Sequence, residues 1–207
     1  LLLVAWSLVD WHHIAAIART SRAELAVLVV TLLATLFMQL EFAIYAGVLL
    51  SLVLFLERTA RPSLRDAKPA PGVGAYHFVD RAAEPECPQL KLLRMEGSVY
   101  FGAVAHVSEH LQTLRSARDP ARHLLVMAKS MNFIDLAGCE MLNQEARRLR
   151  VNGRVLYLCS LKGEAREILH RGGCIGSVGE ENVFTSKVQA LARIVPRLDP
   201  ERCRPCR

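Results

Sequence analysis

HLLVMAKSMNFIDLAGCEMLNQEARRLR, residues 123–150, decides the fold. Its first six residues are a continuous apolar run, the pattern of a strand buried on both faces. Residues 136–150 repeat apolar side chains at helical spacing and close on Arg147, Arg148 and Arg150, cations that suit the negative end of a helix dipole. Between them, residues 129–138 form a loop leaving the most buried strand and entering the longest helix. In open α/β sheets, ligands meet the loops at the carboxyl ends of strands, so Lys129, Ser130, Asn132, Asp135, Ala137 and Gly138 are the candidate interaction residues. Asp135 stands where its side-chain oxygen caps the helix beginning at Leu136, whose free N–H groups also suit an anion or an acidic partner. Gly138 permits close backbone packing.

The alternation continues on both sides. Residues 90–95, 154–160 and 182–184 read as strands, and residues 103–115, 162–173 and 186–198 as helices, the one at 162–173 stopped by glycines. Strands alternating with helices imply a mixed or mostly parallel sheet with crossover helices. Upstream, five prolines between Arg61 and Pro88 exclude a continuous helix. Residues 61–74 therefore read as a linker, with a short edge strand at 75–80, a domain over 75–200 and a tail at 201–207.

Residues 1–60 have a different character. The whole chain is 52% hydrophobic and 22% charged, with a mean hydropathy of +0.22, which requires the apolar and charged parts to be segregated. Residues 1–57 hold two basic and four acidic residues, and the remainder carries an excess of eight positive charges. Residues 25–56 contain one ionisable side chain, Glu41. As one helix they would extend about 48 Å, against a hydrocarbon core of about 30 Å. A break near Gln39, Leu40 and Glu41 gives two short spans instead. Arg19 and Arg22 before them, and Arg58, Arg61, Arg65 and Lys68 after them, place both flanks on the cytoplasmic side, which an even number of crossings satisfies. Residues 10–22 then lie at the membrane surface, with Trp6 and Trp11 at interface depth. Glu41 is either a turn residue at the outer interface or an intramembrane contact or proton-linked site. The apolar residues 1–9, with no initiator Met before them, read as the end of a further membrane helix, and the chain as the C-terminal part of a larger membrane protein.

Enzymatic motifs are missing from the sequence. It contains neither a phosphate-binding GxxxxGK[ST] nor a GxGxxG, and no nucleophile elbow. Cys203 and Cys206 form a CxxC without the second ligand pair that a tetrahedral zinc site needs. Cys139 and Cys159 read as small core residues; Cys87 and Cys174 fall in loops without assignable partners. No metal, cofactor or catalytic residue is expected. The basic excess lacks the aromatic-interleaved stripe of a nucleic-acid interface, and an anionic membrane leaflet is the simpler counterpart.

Three stretches carry a family resemblance: residues 24–62, residues 90–104 (LKLLRMEGSVYFGAV) and residues 131–162 (MNFIDLAGCEMLNQEARRLRVNGRVLYLCSLK), with a fourth at 176–191. In that order they resemble the last membrane helices and cytoplasmic STAS domain of SulP anion transporters. The resemblance implies an α-helical membrane segment followed by an α/β STAS domain, a central mixed β-sheet with flanking helices. It further implies a multi-pass protein of the cell (inner) membrane that carries sulfate, bicarbonate or a small organic anion. The STAS domain would lie in the cytoplasm and regulate assembly, trafficking or gating. Implied partners are the lipid bilayer, the remaining N-terminal membrane domain, a second copy in a homodimer, and a cytosolic protein or nucleotide at the STAS domain. The family's anion site is built from half-helices that residues 1–207 do not include, so no substrate-binding residue is carried over. A membrane-tethered STAS regulatory module without transport is the alternative. The other branch of STAS proteins, the bacterial anti-sigma antagonists, switches by phosphorylation of a Ser in a loop resembling D-S-S-G. The corresponding residues here, Asp135, Leu136, Ala137 and Gly138, offer no hydroxyl, leaving Ser130 as the nearby one.

Overall fold

The computed structural model describes residues 10–69, 78–79, 87–116 and 123–203. They belong to two compact units, Leu1–Arg58 and Thr59–Arg207.

The first unit is helical. Helix α1 (Trp11–Thr20) is capped by Asp10, whose carboxylate accepts from the His13 N–H at 3.0 Å. Ser21 breaks the chain and caps α2 (Arg22–Phe37), its hydroxyl accepting from the Glu24 N–H. Met38 is extended, and α3 (Leu40–Thr59) follows. The interruption at Met38 and Gln39 falls beside the one expected from length. At 1.5 Å per residue, the 16 residues of α2 extend about 24 Å and the 20 of α3 about 30 Å. By length and composition α3 is the one helix among the described residues able to cross a membrane unaided. The two helices meet at Gly47, where an added Cβ would lie 2.7 Å from Thr31 Oγ1. Ala34 and Ala43 are their only buried residues. Large apolar side chains, among them Leu36, Phe37, Phe42, Leu49 and Phe55, stand exposed.

The second unit is built on a six-stranded sheet in the order β2-β1-β3-β4-β5-β6. Its strands are β1 (Ser63–Pro69), β2 (Phe78–Val79), β3 (Leu90–Glu96), β4 (His123–Ser130), β5 (Val155–Cys159) and β6 (Val183–Phe184). Strands β3 to β6 are parallel, and β1 is antiparallel to both of its neighbours. The connecting helices are α4 (Phe101–Ser116), α5 (Leu136–Val151), α6 (Gly163–Arg171), α7 (Ile175–Val178) and α8 (Lys187–Ile194), with a last turn, α9 (Pro200–Cys203).

Because side chains alternate across a strand, β4 and β5 feed two cores. Leu124, Val126, Leu156 and Leu158 pack with α4, α5 and α6 on one face. Leu125, Met127, Tyr157 and Cys159 pack with Ala190, Leu191 and Ile194 of α8 on the other. The continuous apolar run of β4 thus has the cause inferred from sequence, and β5 shares it.

Two expectations need correction. Residues 61–74 were expected to be a linker, yet β1 lies within them and pairs with β3 from Ser63↔Glu96 to Ala67↔Leu92. Its polar side chains conceal a strand defined by backbone pairing, and the sheet unit begins at Thr59. Cys174, expected to lack a partner, forms a disulfide with Cys139, their Cα atoms 5.8 Å apart. The turn at Gly172 and Gly173 returns the chain beneath the first turn of α5; a Cβ on Gly172 would stand 2.9 Å from Cys139 Sγ. Of the expected strand at 75–80, Phe78 and Val79 are strand, and the rest lies outside the described residues, as do residues 1–9, Trp6 among them, and Cys206.

Candidate functional site

The loop after β4 is held by backbone hydrogen bonds to the segment that follows β3. Gly97 N–H donates to the Ser130 carbonyl at 3.1 Å, Val99 N–H to the Phe133 carbonyl at 2.9 Å, and Asp135 N–H to the Val99 carbonyl at 3.2 Å. Met131 and Ile134 are buried, 1% and 0% exposed, and anchor the loop in the core, while Asn132 and Phe133 point outward. Asn132 Oδ1 accepts from Lys162 Nζ, tying this loop to the one after β5.

Asp135 caps α5 as expected, Oδ1 accepting from the Gly138 N–H at 2.8 Å. Its other oxygen, Oδ2, accepts from the Phe101 N–H at 2.9 Å, at the start of α4. One carboxylate therefore serves two helix N-termini, each of which leaves unpaired N–H groups and a partial positive charge. Gly138 packs against the same junction. A Cβ there would meet the Val99 carbonyl oxygen at 2.5 Å and Ile134 Cγ1 at 2.9 Å, so only glycine fits without backbone movement.

The six residues singled out from sequence divide accordingly. Lys129, Ser130 and Asn132 are exposed at the carboxyl ends of the strands, Asp135 and Gly138 form the frame beneath them, and Ala137 is half-buried. Sequence reasoning missed the apolar part of this surface: Phe101 is 81%, Leu136 59% and Phe133 40% exposed. Leu136 and Phe133 stand inside the quoted loop, but periodicity cannot tell an outward apolar residue from a core one. Glu41 lies in the other unit, exposed in the first turn of α3. Among the described residues no three His, Cys, Asp or Glu side chains are grouped to hold a metal.

Cys159 ends β5 near this loop and is fully buried. Burial pushes its thiol up to about 11, opposed by the Ser160 hydrogen bond and by Lys187, so at neutral pH it is a protonated core group. The raised value has a consequence for stability. Below pH 9 the folded and unfolded thiols are both protonated and contribute no pH dependence. As pH rises from 9 towards 11 only the unfolded thiol ionises, so stability falls, by roughly 1.4 kcal/mol per pH unit. Urea unfolding at pH 8, 9 and 10 is expected to show a shallower decline in Cys159→Ala than in the parent; equal slopes would refute it.

The model of the STAS domain family matches residues 82–190. That is more than half the chain, and the chain belongs to this family. Similarity extends beyond the domain. The putative sulfate transporter YvdB of Bacillus subtilis is 21% identical over 185 residues, 89% of this chain and 33% of that protein. Solute carrier family 26 member 10 of Mus musculus is 26% identical over 92% of this chain and 28% of its own length. The probable sulfate transporter Rv1739c of Mycobacterium tuberculosis is 26% identical over 91% and 35%. The chain thus spans about a third of the length of the curated relatives it matches. Among solved structures, SLC26A9 superposes with a TM-score of 0.78 at 17% identity, over 93% of this chain and 33% of that one. That likeness establishes the fold, α-helices followed by a STAS domain.

Proposed function

We propose, with membership of the STAS domain family as the premise, that residues 1–207 are the C-terminal part of a SulP-type secondary anion transporter. The helices α2 and α3 are its last membrane hairpin, and the STAS domain is a cytoplasmic module governing assembly, trafficking or gating. One observation carries the reading: relatives named sulfate transporters match about nine-tenths of the chain, so the similarity runs through the apolar helices as well as the domain. The exposed leucines and phenylalanines of α2 and α3 support a lipid environment, since their chemistry suits hydrocarbon and leaves only two alanines buried. The basic flanks support the cytoplasmic side for both helix ends. A cytoplasmic domain lies in a compartment where disulfides are rare. The Cys139–Cys174 pair is compatible with it because both residues are buried, 0% and 1% exposed, out of reach of attacking thiolates.

In this reading the domain does no chemistry. The exposed group Lys129, Ser130, Asn132, Phe101, Phe133 and Leu136 is its contact surface, towards a second copy or a cytosolic protein. Asp135 and Gly138 act beneath it by holding the loop. Glu41 is a turn residue at the outer interface. The test is uptake of labelled sulfate, bicarbonate and oxalate by vesicles containing the full-length protein. Uptake of one of these anions that saturates and is lost on deleting α2 and α3 is expected. Its failure with all three, with the protein correctly inserted, would sink transport as the function.

A further inference from the structure

A concave site lies at the end of the sheet opposite the 129–138 loop. There a cavity of about 380 Å³ opens between the end of α5, the start of β5, α7 and the two short turns Glu180–Asn182 and Val195–Arg197. It is at the amino ends of the parallel strands, where His123 pairs with Val155, away from the 129–138 loop. Of its apolar wall residues Val155 is partly exposed, whereas Leu156 and Val178 belong to the core behind it, 2% and 3% exposed. Arg150, Arg154 and Arg197 converge on it, with Glu181 as the one acidic residue, a local excess of two positive charges.

The walls are fixed by hydrogen bonds. Arg150 Nη2 donates to the Ser177 carbonyl at 2.7 Å, linking α5 to α7. Asn182, 6% exposed, donates from Nδ2 to the Val178 carbonyl at 2.7 Å. The Arg154 N–H donates to the Leu149 carbonyl at 2.9 Å. Among the described residues neither Arg154 nor Arg197 has a carboxylate partner, so both guanidinium forks are free to bind. Guanidinium groups pair with phosphate oxygens two at a time, and an excess of two positive charges matches a phosphate dianion. The volume falls in the range of small-molecule sites, roughly 300–1,000 Å³, and Val155 with the aliphatic stems of the arginines suits an organic body attached to that phosphate. Glu181 repels a further anionic group on the same ligand.

We propose that this cavity binds a small soluble phosphomonoester. Its phosphate is held by Arg150, Arg154 and Arg197, and its organic part rests on Val155 and the aliphatic stems of those arginines. The proposal stands independently of transport.

The test is calorimetric titration of the whole 207-residue chain, in dodecyl maltoside micelles, with phenyl phosphate and separately with inorganic phosphate. Saturable one-to-one binding of phenyl phosphate is expected, with inorganic phosphate several-fold weaker. Arg154→Gln/Arg197→Gln is expected to weaken phenyl phosphate at least tenfold. Arg148→Gln/Arg193→Gln, which removes the same charge outside the cavity, is expected to leave it within twofold. Arg154→Lys/Arg197→Lys, which keeps the charge and loses the forks, is expected to fall between them, and it replaces the glutamine variant if thermal melting shows that one unfolded. Equal loss in the two glutamine variants would overturn the site in favour of diffuse attraction, and absence of saturation would overturn it outright. Inorganic phosphate binding as tightly as phenyl phosphate would overturn the organic ligand class. Co-sedimentation with phosphatidylcholine vesicles containing phosphatidic acid, dependent on Arg154 and Arg197 without phenyl phosphate binding, would assign the cavity to a lipid headgroup instead.

Discussion

A chain cut to begin at Ala75 is expected to lose cooperative folding of the sheet unit, whereas one beginning at Thr59 retains it. The cut removes β1, which pairs with five successive residues of β3 and supplies the only partner of β2 among the described strands. Buried Ala67 goes with it, as does the 2.7 Å ion pair between Asp66 and Lys91. Pro62, which packs against Gly97, is lost as well. Strand β3 supplies Leu92 to one core and Leu93 and Met95 to the other, and the cut leaves it as a bare edge, prone to pairing with other chains. Ladder hydrogen bonds contribute about 0.5–1.5 kcal/mol each. The loss is therefore on the order of 5 kcal/mol, comparable with the whole margin of a small domain. Circular dichroism on heating both fragments is the measurement. Melting temperatures within 3 °C of each other would show that β1 contributes nothing essential.

The same strand shows where the sequence stops being informative. Strands β4 and β5 were legible because burial on both faces demands continuous apolar runs, and α5 because its apolar face repeats at the helical period. The sequence of β1, SLRDAKP, has only Leu64 and Ala67 to place inward; its identity as a strand comes from backbone pairing with a partner some thirty residues later. The Cys139–Cys174 contact fails the same way, since two cysteines 35 residues apart acquire a relation only when a helix and a glycine turn bring the chain back. At the candidate loop, the cap on Asp135 was legible because an N-cap is a local device. Its second bond, to Phe101, spans 34 residues, and no local pattern announces it. The arginine cavity is the extreme case. It is assembled from five elements, and the sequence shows only Arg150 closing a helix. The break between α2 and α3 was readable for the opposite reason: the thickness of a bilayer limits helix length whatever the tertiary packing.

Replacing Asp135 by Ala is expected to destabilise the STAS domain by about 2–4 kcal/mol, an effect of the size of a core truncation from a half-buried side chain. The carboxylate makes two bonds of different kinds. Loss of an N-cap costs about 1 kcal/mol, and loss of a bond to a charged acceptor about 1.5–3 kcal/mol. Asp135→Asn separates them. The amide oxygen still caps α5, whereas the amide nitrogen cannot accept from Phe101 and the negative charge shared by two helix dipoles is gone, so about half the loss is expected. Urea unfolding of the parent and both variants supplies the values. In the full-length protein the corresponding expectation is reduced folded abundance or dimer assembly with little change in anion affinity, because both carboxylate oxygens of Asp135 are engaged by helix N–H groups. Unchanged unfolding midpoints would refute the double cap, and a large change in anion affinity at normal abundance would move Asp135 from the frame of the domain to the transport pathway.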